Sequence, residues 1–356
     1  MSRIKILLTD GTSPAALQAI NALGLGGHHV IDVCDPRPVS CPARFNRCVR
    51  RTLRCPSFSV CPISYAEFLL RRLKAERYDV LLPAHDQTYL AARFRKELEA
   101  LTRVPVPDFA AVEQIHDRLR FSRLMEELEL AQAPPHDVPP NTAQGVFQHG
   151  RLLAFHASQV RVRGSAGVVV REALQQPDVR DDLARLGARL DWHGALSVDY
   201  SVDAATGRPM YIEAHARLGE TANAVTTGVN LPQWLVRVAL ADRPLSAMPP
   251  PSASRATRTH SSVTGLLSMA HDTGSRWAIV SQLADVMSEK GISAQSCDEW
   301  NAPEGNMLQM LPAAATILRI LLWPGTADSL VKEHSDSYVL SEQTLQVIHK
   351  LSGKLL

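Results

Sequence analysis

Two signatures of nucleotide chemistry are missing from the sequence. It has no Gly-x-x-x-x-Gly-Lys-Ser/Thr phosphate loop, and no glycine fingerprint directly after a strand. The cluster Gly24-Leu25-Gly26-Gly27 follows the first predicted helix instead, where it reads as a helix stop. Long apolar runs are missing too. Met1 to Asp10 is too short for a signal core and runs straight into a turn, and Leu311 to Pro324 is shorter than a membrane span and carries Arg319 in its middle. A cytoplasmic location is expected by default, with no membrane partner. Charge of one sign is also lacking: 38 Lys and Arg stand against 36 Asp and Glu, so nucleic acid is not an expected partner. Five of six cysteines (Cys34, Cys41, Cys48, Cys55 and Cys61) fall in one region, but without a Cys-x-x-Cys pair. Free thiols packing as small hydrophobes are expected there, and no metal is assigned to them. Ser165 lies outside any Gly-x-Ser-x-Gly elbow, which disfavours a hydrolase nucleophile. Finally, no lysine occurs between Lys96 and Lys290.

What remains is a soluble globular composition, 45% hydrophobic and 21% charged over 356 residues, enough for two or three domains. Ile4–Thr9, His29–Asp35 and Tyr78–Pro83 read as parallel strands alternating with helices, a doubly wound α/β domain over 1–108. Ala110 to Leu130 is strongly helical and is closed by the proline-rich Ala133 to Pro140. From Ala143 the pattern turns to strands, an α+β domain with an antiparallel sheet over 109–243. A second proline-rich linker, 244–256, precedes a mainly helical region over 257–356.

The segment "GRPMYIEAHARLGET", Gly207 to Thr221, closes a hairpin begun by LSVDYSV. Side chains alternate faces along a strand, so Ser197, Asp199 and Ser201 share one face, and Tyr211, Glu213 and His215 share another. Pairing the strands sets Asp199 beside Glu213, roughly 5 Å apart. On spacing alone this fits an ordinary solvated acidic face. The residues after Glu213 favour a binding role: Arg217 suits a phosphate or acyl-phosphate oxyanion, and Glu220 would hold Arg217 or receive an amine. A hard divalent cation between the carboxylates would relieve their repulsion and carry substrate phosphates. Arg163, in the turn Arg163-Gly-Ser-Ala-Gly167, is a candidate phosphate-binding residue, with a solvated turn equally open. His85-Asp86 follows the third predicted strand, at the edge where α/β sheets bind ligands.

The pattern Asp199…Tyr211-Ile-Glu213-Ala-His215-Ala-Arg217-Leu-Gly219-Glu220-Thr221, followed by Gly228-Val-Asn-Leu-Pro232, resembles the metal-binding end of ATP-grasp carboxylate–amine ligases. The resemblance covers Ile4 to about Asp242. It implies ATP and Mg²⁺ as cofactors, with Mn²⁺ as an alternative ion, and an acyl-phosphate intermediate attacked by an amine or a thiol. It casts Asp199, Glu213 and His215 as metal ligands and Arg118 of Asp117-Arg118 as a nucleotide-binding residue, to which the turn reading adds Arg163. Arg217 and Glu220 become the catalytic pair. Small-molecule carboxylates and amines are the implied partners, with room for a homodimer.

Three departures stand out. His215 and Ala216 replace the family's Asn-Pro, and Arg118 replaces a lysine. The chain also passes from PPHDVPP almost directly into AQGVFQHG, where the family carries a β-rich lid with a phosphate lysine and the adenine-reading hinge. A degenerate, non-catalytic homologue that binds or regulates is therefore the rival expectation.

Overall fold

A computed structural model describes residues 3–26, 29–133, 141–249, 257–288, 296–299, 308, 310–335 and 338–350. Gly27, Lys290, the proline-rich run 134–140 and the linker residues 250–256 lie outside the described residues.

Four short strands, β1 (Ile4–Leu8), β2 (His29–Asp35), β3 (Val49–Arg54) and β4 (Val80–Leu82), form a parallel sheet in the order β3-β2-β1-β4. The apolar strands β1 and β4 are buried, covered on both faces as parallel strands require. Strand β3, VRRTLR, carries no apolar periodicity and was not foreseen as a strand. It lies at the edge, where Arg50 and Arg51 reach back to the buried Asp32 at 2.5 and 2.7 Å. Burial alone would raise Asp32, but hydrogen bonds from Arg50, Arg51 and Tyr78 outweigh it and hold the carboxyl at about 2. Helix Pro14–Gly24 follows β1, capped by the Ser13 hydroxyl, which accepts from the Ala16 N–H at 3.1 Å. Cys34, Cys41 and Cys55 are buried free thiols.

The long helix expected over Ala110 to Leu130 is two helices, Phe109–His116 and Arg118–Glu127. Asp117 leaves the helical region and caps the second, accepting from the Arg120 N–H at 2.8 Å. This break places Arg118 in the first turn of the second helix.

The second sheet has seven strands: β5 (Asn141–Gln148), β6 (Arg151–Gly164), β7 (Gly167–Leu174), β8 (Gly194–Val202), β9 (Pro209–His215), β10 (Arg258–His260) and β11 (Cys297–Asp298). Their order is β11-β10-β7-β6-β5-β8-β9. The fold is thus mixed α/β and α+β, with the region after residue 257 adding two strands at one side of this sheet as well as helices. Both added strands are only two or three residues long, too short to show period-2 alternation. Helix Pro177–Arg189 packs against β5 and β6, where Gly187 leaves room for the Phe147 ring. Gly194 opens β8 at φ +102°, and a Cβ there would sit 2.2 Å from the Pro105 carbonyl oxygen. Gly194→Ala is expected to cost roughly 2–4 kcal/mol, from backbone strain plus the clash. A urea midpoint unchanged from wild type would contradict this.

The last described segment returns to the elements around the parallel sheet. Tyr338 packs on His85 with ring centroids 4.6 Å apart, and the Leu340 N–H donates to Asp86 at 3.0 Å. Helix Glu342–Lys350 then lies on helix Pro62–Ala75, burying Ile348 completely.

Candidate functional site

The β8–β9 hairpin holds a bulge. Asp199 faces Glu213, Ser197 faces His215 and Val198 faces Ala214, but Tyr200 faces Tyr211, so Ile212 is the extra residue. Strict alternation would have put Tyr211 on the Glu213 face. The bulge turns it into the core with Tyr200, where both rings are buried. Tyr211 gains more from burial than from standing among carboxylates, and Glu213 and His215 are left together on the open face.

There Asp199, Glu213 and His215 offer ligand atoms that all lie within 4.8 Å of one another. His215 Nε2 is 3.5 Å from Glu213 Oε1 and 4.0 Å from Asp199 Oδ2. The Thr142 hydroxyl donates to the other Asp199 oxygen at 2.8 Å, which leaves Oδ2 facing the imidazole. Burial pushes Asp199 up from the usual carboxylate range, whereas the hydrogen bond from His215 holds Glu213 down. Ligands about 2.1 Å from one ion lie about 3–4 Å apart, so this set closes on a divalent cation with only small movements. The two carboxylates suit Mg²⁺. The imidazole suits it poorly, because Mg²⁺ strongly prefers oxygen.

Two cavities flank the triad. One, about 410 Å³, is lined by Arg118, Glu213, His215 and Arg217 on one side and by His85, Asp86 and Tyr89 on the other. The second, about 270 Å³, adjoins Asp199, His215, Arg171, Arg217, Glu220 and Tyr338. Both open where His85-Asp86 leaves the C-terminal end of β4, at the mouth of the parallel sheet.

The charges pair differently from the sequence expectation. Glu220 does not hold Arg217. It is engaged by Arg171 at 2.8 Å, while Arg217 Nε donates to Asp86 at 2.8 Å. Burial works against ionisation of Asp86, yet His85, Arg217 and the Leu340 N–H together hold it well below the usual range. Gln144 fixes the turn after β9, accepting from the Gly219 N–H at 2.9 Å and donating to the Glu220 carbonyl at 3.1 Å. Arg163 is not brought in: it stands exposed at the tip of the β6–β7 hairpin, which leans on Ser268 instead. Thr142, Gln144 and Arg171 were missed, since only the order β7-β6-β5-β8-β9 shows that their strands share a sheet with the triad. Tyr338 was missed because nothing local marks it.

No family model matches this chain, and no curated protein matches it. Solved structures do. The complete multifunctional pyruvate carboxylase of Rhizobium etli superposes with a TM-score of 0.53 at 16% identity, over 68% of this chain and 24% of that one. Urea carboxylase of Kluyveromyces lactis gives 0.55 at 14%, over 71% and 23%. The biotin carboxylase domain of Hydrogenobacter thermophilus 2-oxoglutarate carboxylase gives 0.52 at 14%, over 69% and 72%. Biotin carboxylase domains are ATP-grasp enzymes. This chain has the ATP-grasp fold. It spans about a quarter of the two whole carboxylases and most of the isolated domain. The Hydrogenobacter domain was solved as a dimer with MgADP, ADP and bicarbonate. Among the described residues, no helix is long and apolar enough to cross a membrane.

Two imidazoles away from the triad set a pH dependence. His156 is buried against Asn223, 2.9 Å from its side-chain oxygen, and burial drops it to about 4. His193, desolvated and stacked on His149, also falls to about 4. Both are neutral in the folded chain and take up a proton on unfolding below the ordinary histidine value of about 6.5. Their contribution is complete above that value and is lost as pH falls towards 4, on the order of 2–3 kcal/mol each. The change in thermal midpoint from pH 7 to pH 5 should be less unfavourable in a His156→Gln variant than in wild type; an equal change would contradict the assignment.

Proposed function

We propose that this protein is an ATP-dependent ligase that joins a small-molecule carboxylate to an amine, or to a thiol, through an acyl phosphate. The reading rests above all on the placement of Asp199, Glu213 and His215 between two cavities lined by guanidinium groups. Asp199, Glu213 and His215 would hold a divalent cation, which when bound supplies charge neutralisation for nucleotide phosphates. Arg118 faces the larger cavity, where it would bind phosphate oxygens. Arg217, with its Nε fixed by Asp86, borders both cavities and would stabilise the oxyanion of the acyl phosphate. In the smaller cavity Arg171 would receive the substrate carboxylate. Its Nη1 has no hydrogen-bond partner among the described residues, while Nη2 stays on Glu220. A guanidinium held on one edge and unpartnered on the other suits an incoming carboxylate.

The test is ADP release from ATP with panels of carboxylates and amines and a divalent ion. Release that needs both a carboxylate and a nucleophile supports the ligase. One observation favours a non-catalytic binder: only residues 134–140 separate Ala133 from β5, too few for the lid that closes over the nucleotide in the resembled family. No ADP release with any pair, together with a thermal shift by a carboxylate alone, would decide for that binder.

A further inference from the structure

We infer that the triad selects a transition-metal ion of the Mn²⁺-to-Zn²⁺ series over Mg²⁺. This deepens the cation assignment made above and rests on it. His215 occupies the strand position opposite Ser197, two pairs beyond Asp199 and Glu213, and the regular alternation of β9 from Glu213 onward keeps its ring on their face. Its Nε2 is the atom turned towards both carboxylates, at 3.5 and 4.0 Å. A cation bound to both carboxylates therefore meets an imidazole nitrogen as its third protein donor.

The donor chemistry then decides the ion. Mg²⁺ demands near-octahedral oxygen ligands and dehydrates reluctantly, so exchanging a water for an imidazole nitrogen gains it little. Imidazole suits ions along the Irving–Williams series, and affinity climbs from Mn²⁺ towards Cu²⁺ and Zn²⁺. Two carboxylates with one nitrogen also leave positions open for water or phosphate oxygens, as at a catalytic rather than a closed structural site. The surroundings support a fixed geometry. Thr142 occupies one Asp199 oxygen, the kind of outer hydrogen bond that orients a ligating carboxylate. No other described residues gather a comparable set of donors.

Calorimetric titration of the metal-free full chain with Mg²⁺, Mn²⁺ and Zn²⁺, without nucleotide, tests this. His215→Asn, which replaces the ring by an amide oxygen, serves as the partner variant. Wild type should bind Mn²⁺ at least about tenfold more tightly than Mg²⁺ and Zn²⁺ more tightly still, and His215→Asn should narrow the Mn²⁺-to-Mg²⁺ gap. Spin-echo spectra of bound Mn²⁺ should carry nitrogen coupling in wild type and lose it in His215→Asn, whose circular dichroism and melting confirm that it folds. Equal affinity for Mg²⁺ and Mn²⁺, or absence of nitrogen coupling in wild type, would overturn the ion selectivity and leave the ligase reading standing. Failure of every ion to bind would overturn both.

Discussion

Glu213→Ala should lower the rate of ADP release about a thousandfold while leaving the metal-free fold as stable as wild type or slightly more so. The two effects have one cause. Asp199 and Glu213 lie directly opposite each other on β8 and β9, and without a cation the Glu213 charge raises the cost of ionising Asp199. Removing one relieves that repulsion, worth a few tenths to about one kcal/mol for facing like charges. Glu213 is more than half exposed along its side chain, so its loss opens no cavity. Removal of a charge that anchors phosphate neutralisation typically costs about 3–4 kcal/mol in the transition state, hence the thousandfold loss. A purely structural hairpin predicts the reverse, with little change in any activity. Equal turnover in wild type and Glu213→Ala, measured as ADP release under saturating substrates, would reject a role for this carboxylate.

Arg171→Met should destabilise the fold by roughly 2–4 kcal/mol. Arg171 projects from β7 and meets Glu220 at 2.8 Å, with side-chain exposures of 16% and 28%. Near it lies Glu299, buried and bonded to Gln18 at 3.0 Å and to Thr259 at 2.9 Å. Burial raises Glu299 to about 7, against the pull of the Arg171 charge. Methionine preserves most of the volume but leaves two carboxylates without their cation. Breaking a fully buried pair costs about 3–5 kcal/mol, and the residual exposure here trims that range. Lowering the pH towards 5 should recover part of the loss, because protonated Glu299 no longer needs the guanidinium. Urea melts at pH 7 and pH 5 check this. A variant as stable as wild type at pH 7 would show that Arg171 is not the counter-charge of this cluster.

Much of the fold was legible because its signals are local. Ile4–Leu8 and His29–Asp35 announce buried parallel strands by their apolar runs, and the LSVDYSV and MYIEA segments announce a hairpin through the turn between them. The bulge at Ile212 was not legible, since the alternation of Tyr211, Glu213 and His215 looks regular until the burial of Tyr211 against Tyr200 is seen. Edge strand β3 was hidden by its arginines, whose partners Asp32 and Glu76 lie on other elements. The pairing of charges was the least readable part. Arg217 with Asp86 and Arg171 with Glu220 are pairs far apart in the chain; the meeting of the two sheets makes the first, and the folding of the seven-stranded sheet makes the second. The resemblance to ATP-grasp ligases pointed to Asp199 and Glu213 but was silent on Tyr338, which enters from the far end of the chain.

The functional reading depends on Asp199, Glu213 and His215 sharing one divalent ion. Anomalous diffraction from crystals of the full chain grown with Mn²⁺ tests this most directly. A peak is predicted between the three side chains, about 2.0–2.2 Å from an oxygen of each carboxylate and from His215 Nε2. Full ion occupancy elsewhere on the protein, with no peak among these three residues, would contradict it.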